Sequence, residues 1–219
     1  MQTELEEFAL SLGATLCGGC ALENPPVVGQ NDLKYAFSIA VKLSDSVLET
    51  IENAPSYAYF QHYRTANALL DSIAFRLANE IEKKGYRAFP IAASQSQGKE
   101  NPYVGVASHK MVATRAGLGF VGKSGLFLSE KYGSKIRLAT VLTNMPLTSK
   151  KPMIENGCGD CEICKKACPA GAIFGEKPNF KERNIDPEKC SKYMKEHFQD
   201  IGRGSVCGIC IKVCPKNKL

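Results

Sequence analysis

Apolar and polar residues alternate along the first 150 residues in patterns typical of both helices and strands. The strongest pattern runs from about Phe60 to Lys84, where apolar residues recur every three to four positions, so it predicts one long helix. The apolar run 35–43 predicts a buried strand, and Ser46 and Glu49 have the spacing of a capping box that opens a short helix. Further helices are predicted at 3–12 and 108–116, and further strands at 86–93, 126–129 and 136–142.

The pattern changes near residue 150. Apolar periodicity fades there, and lysine, proline and cysteine become prominent in residues 151–219. A segment of about 70 residues with so little apolar surface needs another source of stability, and metal binding is a common one. We therefore predict two domains, an α+β core at 1–150 that binds cofactor and substrate and a cysteine-rich module at 151–219.

The cysteine-rich module carries eight of the ten cysteines in two runs of similar spacing. The run from Cys158 to Cys168 has the spacing C-x2-C-x2-C-x3-C-P of bacterial ferredoxins, and the run from Cys207 to Cys214 repeats part of it, with Cys190 upstream. In such runs the cysteine before the proline ligates the neighbouring cluster. We therefore expect two [4Fe–4S] clusters, one held by Cys158, Cys161, Cys164 and Cys214 and the other by Cys168, Cys190, Cys207 and Cys210. Zinc, which pairs of CxxC motifs also bind, is the alternative.

Composition narrows the functional classes. The formal charge of +6 would suit nucleic acid, but two clusters of about −2 each lower it to about +2, so we do not expect nucleic-acid binding. No apolar run approaches the ~18 residues of a membrane span, and the N-terminus lacks a secretory signal. Ten cysteines in a chain of this kind favour metal or redox chemistry in a reducing compartment, so we expect a cytoplasmic protein without a membrane partner.

The stretch Gly117–Ser124, GLGFVGKS, matches the phosphate-binding loop pattern G-x-x-x-x-G-K-S. A true phosphate loop follows a buried strand and opens a helix. Here the preceding residues predict a helix and the following residues a strand, and the later strand ATVLTN ends without the aspartate that would hold magnesium. We therefore predict no nucleotide site. The glycines indicate either a structural turn or a turn that cradles a flat cofactor.

Several stretches together resemble the epoxyqueuosine reductase family, which is related to the corrinoid-dependent reductive dehalogenases. The similarity is greatest over about 105–217, roughly half the chain, and the combination of the glycine motif with this order of cysteines is specific. The resembling stretches are Arg115–Lys123 (RAGLGFVGK), Tyr132–Ser134 (YGS), Leu142–Thr143, Cys190–Tyr193 and Val206–Asn217 (VCGICIKVCPKN).

The resemblance implies a nitroreductase-like α+β core that binds cobalamin, followed by a two-cluster ferredoxin-like module that supplies its electrons. It places the glycine turn against the corrinoid, with His109 and Lys110 as further candidate contacts. An FMN-dependent reductase of the same architecture is one alternative, and a ferredoxin-type electron-transfer protein without its own substrate is another. The candidate cofactor-binding residues are His109, Lys110, Gly117, Gly119, Gly122 and Lys123.

The sequence departs from the family in three ways. The stretch Arg87–Ser94 lacks the acid that family members carry after the long helix, there is no counterpart of the C-terminal region that helps hold tRNA, and Cys17 and Cys20 are additional. The resemblance therefore implies a short form of the family that acts on a small organic substrate other than epoxyqueuosine, with electrons from an external donor of ferredoxin or flavodoxin type.

The sequence does not decide which residue donates a proton to the substrate or what Cys17 and Cys20 do. His62 and Tyr63, at the start of the long helix, are the candidate catalytic residues, because a general acid must reach the substrate. Cys17 and Cys20 are interpreted as small buried residues, with a redox disulfide or a third metal site as alternatives. Tyr57, Tyr59 and Tyr103, which we expect in nearby polar loops, are further candidate proton donors.

Overall fold

Helices and strands are mixed through the first 147 residues, as predicted. The structure is a computed structural model, and it describes residues 1–27, 30–100, 102–151, 157–175 and 184–217. Within these residues the elements are α1 (Gln2–Ser11), β1 (Leu16–Ala21), β2 (Tyr35–Lys42), α2 (Asp45–Glu49), α3 (Tyr57–Lys83), β3 (Ala88–Ile91), α4 (His109–Arg115), β4 (Gly119–Val121), β5 (Phe127–Ser129), β6 (Ile136–Thr143), α5 (Ile163–Ala167), α6 (Pro187–His197) and α7 (Ile209–Lys212).

The long helix α3 confirms the strongest sequence prediction. Its residues Leu70, Ile73, Leu77 and Ile81 are each at most 1% exposed, so one face of the helix is buried along three turns. The opposite face carries charged and polar side chains, together with an exposed Phe75. None of the helices in the described part of the chain is long and apolar enough to cross a membrane.

Four strands form the main sheet in the order β1-β2-β6-β3, and β4 and β5 form a separate two-stranded sheet. The pairs β1/β2 and β3/β6 are antiparallel, with Gly18 opposite Ser38 in the first pair. Residues 36–41 of β2 are all buried, as expected from the apolar run in the sequence. Residues from the sheet, from α4 and from its flanks form one hydrophobic core: Cys20, Leu33, Ala36, Ile91, Ala107, Val112, Ala116 and Leu142.

Contacts divide the chain into two compact units, each built from three segments. Unit 1 comprises 1–41, 66–119 and 137–154, and unit 2 comprises 42–65, 120–136 and 155–219. The predicted domain boundary near residue 150 falls at the end of the last segment of unit 1. Unit 2, however, also takes in two earlier segments, because the cysteine-rich residues have little apolar surface and pack against side chains from 42–65 and 120–136.

The structure differs from the sequence predictions at the start of the chain. The segment Cys17-Gly18-Gly19-Cys20 forms strand β1, which the sequence did not predict because glycine is depleted in strands. The glycines allow close packing, since a Cβ on Gly19 would lie 2.8 Å from Cβ of Leu147. The predicted capping box at Ser46 is wrong, because α2 begins at Asp45 with Ser44 as its N-cap.

Candidate metal centre

The eight cysteines of unit 2 lie in two groups of four. We call Cys158, Cys161, Cys164 and Cys214 the first cysteine group. Burial raises the pKa of the Cys164 thiol, and charge repulsion from the other three members of this group raises it further. Such repulsion is appreciable only over short distances, so the four sulfur atoms are neighbours.

Cys168, Cys190, Cys207 and Cys210 form the second cysteine group. Burial raises the pKa of the Cys190 thiol to about 11, and repulsion from Cys168 and Cys207 contributes. Burial also raises the pKa of the Cys210 thiol, and charge repulsion from Cys207, Cys190 and Cys168 raises it further. Charge repulsion from Cys164, a member of the first cysteine group, raises the pKa of Cys210 by a smaller amount. The two cysteine groups are therefore adjacent. Each group thus takes one cysteine, Cys214 or Cys168, from the other run of the sequence.

The chemistry of these thiols fits [4Fe–4S] clusters better than zinc. All ten cysteines are free thiols, and among the described residues no three Cys, His, Asp or Glu side chains are close enough to ligate one metal ion. A tetrahedral zinc site needs sulfur atoms about 3.8 Å apart, whereas a cubane holds its thiolates at its outer corners. Because burial raises several of these pKa values, cluster binding must displace protons from the thiols.

A glycine brings the hairpin of β4 and β5 against the first cysteine group. A Cβ on Gly122 would lie 2.6 Å from Cδ1 of Leu128 and 3.1 Å from Sγ of Cys158. The carbonyl oxygen of Gly122 accepts a hydrogen bond from Nδ2 of Asn184 at 3.4 Å. The φ angle of Gly122 is not positive, so glycine is needed here for close approach rather than for backbone conformation.

The stretch Tyr132–Ser134 contacts the residues that carry and follow Cys214, a member of the first cysteine group. The backbone N–H of Ser134 donates to Oδ1 of Asn217 at 2.8 Å, and a Cβ on Gly133 would collide with the carbonyl of Lys216. Burial raises the pKa of the Cys214 thiol, while hydrogen bonds involving the Lys216 backbone and the Ser134 side chain lower it. Ser134 was not predicted as a site residue from the sequence, although the motif YGS was part of the family resemblance.

The segment 42–65 contacts the residues around Cys207 and Cys210 of the second cysteine group. Gly208, between Cys207 and Ile209, has a φ angle of +81°, and a Cβ there would lie 2.5 Å from Cε1 of Tyr59. Lys212 donates from Nζ to the carbonyl oxygens of Glu49 at 2.7 Å and Ile51 at 3.1 Å. These contacts pack the segment 42–65 against residues 207–212, which carry Cys207 and Cys210. Tyr59, which the sequence suggested as a proton donor, is 1% exposed and serves this packing.

The glycine turn follows helix α4 and leads into strand β4, whereas a phosphate loop follows a strand and opens a helix. This order excludes a phosphate loop, as predicted. Gly117 follows α4 with a φ angle of +74°, and a Cβ there would lie 2.6 Å from Cβ of Lys151. Gly119 begins β4 and is buried. A Cβ on Gly117 or on Gly122 would thus meet atoms of the chain itself, and cofactor binding by Gly117, Gly119, Gly122 and Lys123 stays a prediction. Lys123, the next residue, is 8% exposed.

His109 and Lys110 lie in the first turn of α4. Because the carbonyl oxygen of Ala92 can only accept, Nε2 of His109 carries a proton and donates to it at 3.1 Å, while Nδ1 accepts from Oγ1 of Thr140 at 2.8 Å. Burial lowers the pKa of His109, so the ring is neutral. Both ring nitrogens are used inside unit 1, which gives His109 a structural role. Lys110 is half-buried, and its role in cofactor binding stays a prediction.

The candidate catalytic residues His62 and Tyr63 lie in the part of α3 that belongs to unit 2. Nε2 of His62 accepts a hydrogen bond from the backbone N–H of Ser44 at 2.9 Å, which fixes the ring at the start of α2. The ring of Tyr63 lies 6.3 Å from that of Tyr59. A neutral His62 with its Nε2 engaged can donate only through Nδ1. The catalytic role of His62 and Tyr63 stays a prediction. Tyr57, at the start of α3, is 68% exposed.

Cys17, which is half-buried, and Cys20, which is buried, are separate thiols in unit 1. Side chains at i and i+3 point to opposite faces of a strand, so the two thiols of β1 cannot pair with each other. Cys17 donates to the carbonyl of Glu6 and Cys20 to that of Val112, at 3.5 and 3.8 Å. Burial raises the pKa of Cys17 to about 12 and that of Cys20 to about 11. The geometry favours the interpretation as small buried residues.

Two groups of four thiols in one compact unit define a class of protein, the two-cluster iron–sulfur proteins. Residues 157–217 match the family described as "4Fe-4S double cluster binding domain", which covers all eight cysteines. The chain is accordingly an iron–sulfur protein with a ferredoxin-like double-cluster domain.

The particular relatives are of two kinds. The chain is 36% identical over 116 residues to an epoxyqueuosine reductase of Lactococcus garvieae, which is 49% of this chain and 31% of that protein. It is 29% identical over 197 residues to a tetrachloroethene reductive dehalogenase of Dehalobacter restrictus, which is 83% of this chain and 33% of that protein. The resemblance predicted from the sequence is confirmed: the chain is related to the epoxyqueuosine reductases and the reductive dehalogenases.

Solved structures agree with this relationship. A reductive dehalogenase, whose structure is described as suggesting a mechanism for B12-dependent dehalogenation, superposes with a TM-score of 0.79 at 23% identity. The superposition covers 98% of this chain and 31% of that protein, and it shows a shared fold. The chain thus spans about a third of the length of the curated relatives it matches.

Proposed function

We propose that this protein is an iron–sulfur reductase that delivers low-potential electrons, through two [4Fe–4S] clusters, to a corrinoid that reduces a small organic substrate. The observation that carries the proposal is the arrangement of eight free thiols in two adjacent groups of four. Bound clusters supply one-electron transfer at potentials that reach about −400 mV and below, and a bound corrinoid supplies a strongly reducing metal.

The side chains of unit 2 would hold and shield the clusters. Gly122 and Ser134 fix two ligands of the first cysteine group, and Tyr59 covers the loop of the second. Exclusion of water from a cluster affects its potential, as do hydrogen bonds to its sulfur atoms. Adjacent cysteine groups would let electrons pass between the clusters without a further carrier.

The corrinoid part of the proposal is supported by the relatives, one of which is described as B12-dependent. We also propose that unit 1 is a nitroreductase-like core. Since Gly117 and Gly122 pack against the chain itself, we assign no step to a corrinoid at the glycine turn. His62 and Tyr63 are proposed as the proton donors on the strength of the sequence alone.

An external donor of ferredoxin or flavodoxin type is proposed as the electron source. A cavity of about 340 Å³ in unit 2 is lined by Cys214 together with Lys135, Lys212 and Ile163. It offers the donor a path to a ligand of the first cysteine group. We further propose a cytoplasmic location, because ten free thiols require a reducing environment.

Anaerobic purification followed by cofactor analysis tests the proposal. We expect about eight irons per chain and uptake of added cobalamin, with reduction of its cobalt when the clusters are reduced by dithionite. Uptake of FMN instead of cobalamin would contradict the corrinoid and support a flavin-dependent reductase. Clusters without uptake of either cofactor would contradict the reductase and support an electron-transfer protein. Turnover of epoxyqueuosine would contradict the proposal of a different substrate.

A further inference from the structure

Unit 1 contains a cavity that no part of the proposed function uses. Its volume is about 210 Å³, and it is lined by residues that follow β1 and by one face of α4. On α4 this face consists of Met111, Val112 and Arg115, which are three or four positions apart or adjacent and so lie together. Every residue that lines the cavity belongs to unit 1, so the cavity is a feature of that unit alone.

The cavity extends from the hydrophobic core to the surface. Ala107 and Val112, which line it, are at most 9% exposed and belong to the core of unit 1. Leu22 and Met111 are half-buried, and Asn24 is exposed, so the cavity reaches solvent. Mainly apolar walls with a few polar groups are typical of sites that bind small organic molecules.

The volume limits the ligand to a small molecule. A cavity of about 150 Å³ with apolar walls holds one benzene molecule, so 210 Å³ has room for a single ring, or a chain of similar size, with one small polar group. A corrinoid or a flavin is much larger than that and cannot be enclosed here. The cavity is therefore a candidate site for a ligand other than these cofactors.

Arg115 gives the cavity a positive charge, and it is the one charged residue among the described residues that line it. Its Nη2 lies 3.5 Å from Oε1 of Glu23, whose side chain is 81% exposed. An ion pair with so exposed a carboxylate is weak, because water competes for both groups. Burial raises the pKa of the Cys20 thiol to about 11, and the charge of Arg115 opposes this increase, so the guanidinium lies near the core.

We propose that this cavity binds a small organic anion, with its apolar body against Leu22, Met111 and Val112 and its carboxylate on Arg115. A guanidinium can donate two parallel hydrogen bonds to one carboxylate, and this pairing is strongest where water is excluded. The bound carboxylate takes the place of Glu23 beside Arg115. The inference needs neither the clusters nor the corrinoid, so it is independent of the proposed function.

Isothermal titration calorimetry of the full chain, prepared anaerobically with its clusters, tests the inference with benzoate as the probe. Benzoate should bind with a Kd of about 1 mM or below. Benzamide has the same shape without the charge, and inorganic phosphate has charge without an apolar body. Both should bind at least about tenfold more weakly than benzoate, because each lacks one of the two interactions.

Variants of single side chains assign the binding to this cavity. Arg115→Met should weaken benzoate binding at least about tenfold. Glu23→Gln should strengthen it about two- to fivefold, because it removes the competing carboxylate. The matched control is Arg87→Met, which should leave the affinity unchanged. Arg87 also lies in unit 1 and pairs with an exposed carboxylate, that of Asp32 at 2.7 Å, but it does not line the cavity.

Three results would overturn the inference. The first is no binding of benzoate at concentrations up to about 10 mM. The second is binding of benzamide or phosphate as tight as that of benzoate, which would assign the cavity to a neutral molecule or to an inorganic anion. The third is an affinity that Glu23→Gln leaves unchanged or weakens. Because Glu23 is exposed, this variant keeps the test decisive even if Arg115→Met does not fold. Iron analysis of the same samples detects a failure of the cluster proposal separately.

Discussion

Replacement of Gly122 by alanine tests whether the β4–β5 hairpin shapes the first cysteine group. The new methyl group would lie 2.6 Å from Cδ1 of Leu128 and 3.1 Å from Sγ of Cys158. Carbon atoms in contact normally lie about 3.5–4.0 Å apart, so one of these neighbours must move by about 1 Å. Leu128 is 1% exposed and has little room to move, so the hairpin itself must shift at residue 122, which changes its contact with Sγ of Cys158.

The energetic cost follows from this overlap. Overpacking by one methyl group in a filled interior costs roughly 1–3 kcal/mol. The larger effect is on metal binding, because ligand distances must be met within about 0.2 Å. We therefore expect the Gly122→Ala variant to lose the first cluster and to retain about four of about eight irons, with the second cluster intact.

The assay is iron and sulfide analysis after anaerobic reconstitution, combined with electron paramagnetic resonance of the reduced protein. Gly159→Ala is the matched control, because Gly159 follows Cys158 directly but has nothing within 4 Å of a new Cβ. Its φ angle of +52° makes alanine unfavourable by about 1–2 kcal/mol, without a collision. Adding Leu128→Ala to Gly122→Ala should restore part of the lost iron, because it removes the closest clash.

Full iron content in the Gly122→Ala variant would refute this explanation of the glycine. So would an equal loss of iron in Gly159→Ala, because strain at any glycine of the site would then account for the result. In either case, the approach of the hairpin to Cys158 would have no part in cluster assembly.

The remaining predictions concern single side chains. Ser134→Ala should lower the free energy of unfolding by about 0.5–1.5 kcal/mol and speed the release of iron to a chelator, since it removes a hydrogen bond near Cys214; an unchanged release rate would contradict this. Because the pKa of His109 is lowered in the folded state, its contribution to stability is complete above about pH 6.5 and is lost as the pH falls below that value. Anaerobic urea unfolding at pH 7.5 and 6.0 should show this loss, and His109→Gln should reduce it; an equal loss in the variant would disprove the assignment. Cys17 and Cys20 should react with iodoacetamide at pH 8 at least about tenfold more slowly than in the unfolded chain, and rapid alkylation would contradict their burial.

The positions of the cluster ligands were the part of the site that the sequence could predict. A cubane needs thiolates at fixed corners, so it imposes short, regular spacings that remain visible in the sequence. The crossover of Cys168 and Cys214 follows from the same rule. In the structure Cys168 affects the pKa of Cys210, and Cys158 and Cys161 affect that of Cys214. The buried helix α3 was predicted for a comparable reason, because helical geometry imposes its own period.

The surroundings of the clusters could not be predicted, because they depend on contacts between residues far apart in the sequence. Asn217 reaches Ser134 across 83 positions, and Lys212 reaches Ile51 across 161. The sequence showed that Gly122 is flexible or small, but not that Cys158 lies beside it. Strand β1 was missed since its two glycines oppose strand formation locally, and tertiary packing outweighs that preference.

The most direct test of the central claim is the metal content of the protein prepared without oxygen. Two [4Fe–4S] clusters in the two cysteine groups predict about eight irons and eight sulfides per chain, falling to about half when Cys158 or Cys190 alone is replaced by alanine. Zinc in place of iron, or no metal bound by these eight cysteines, would contradict the claim.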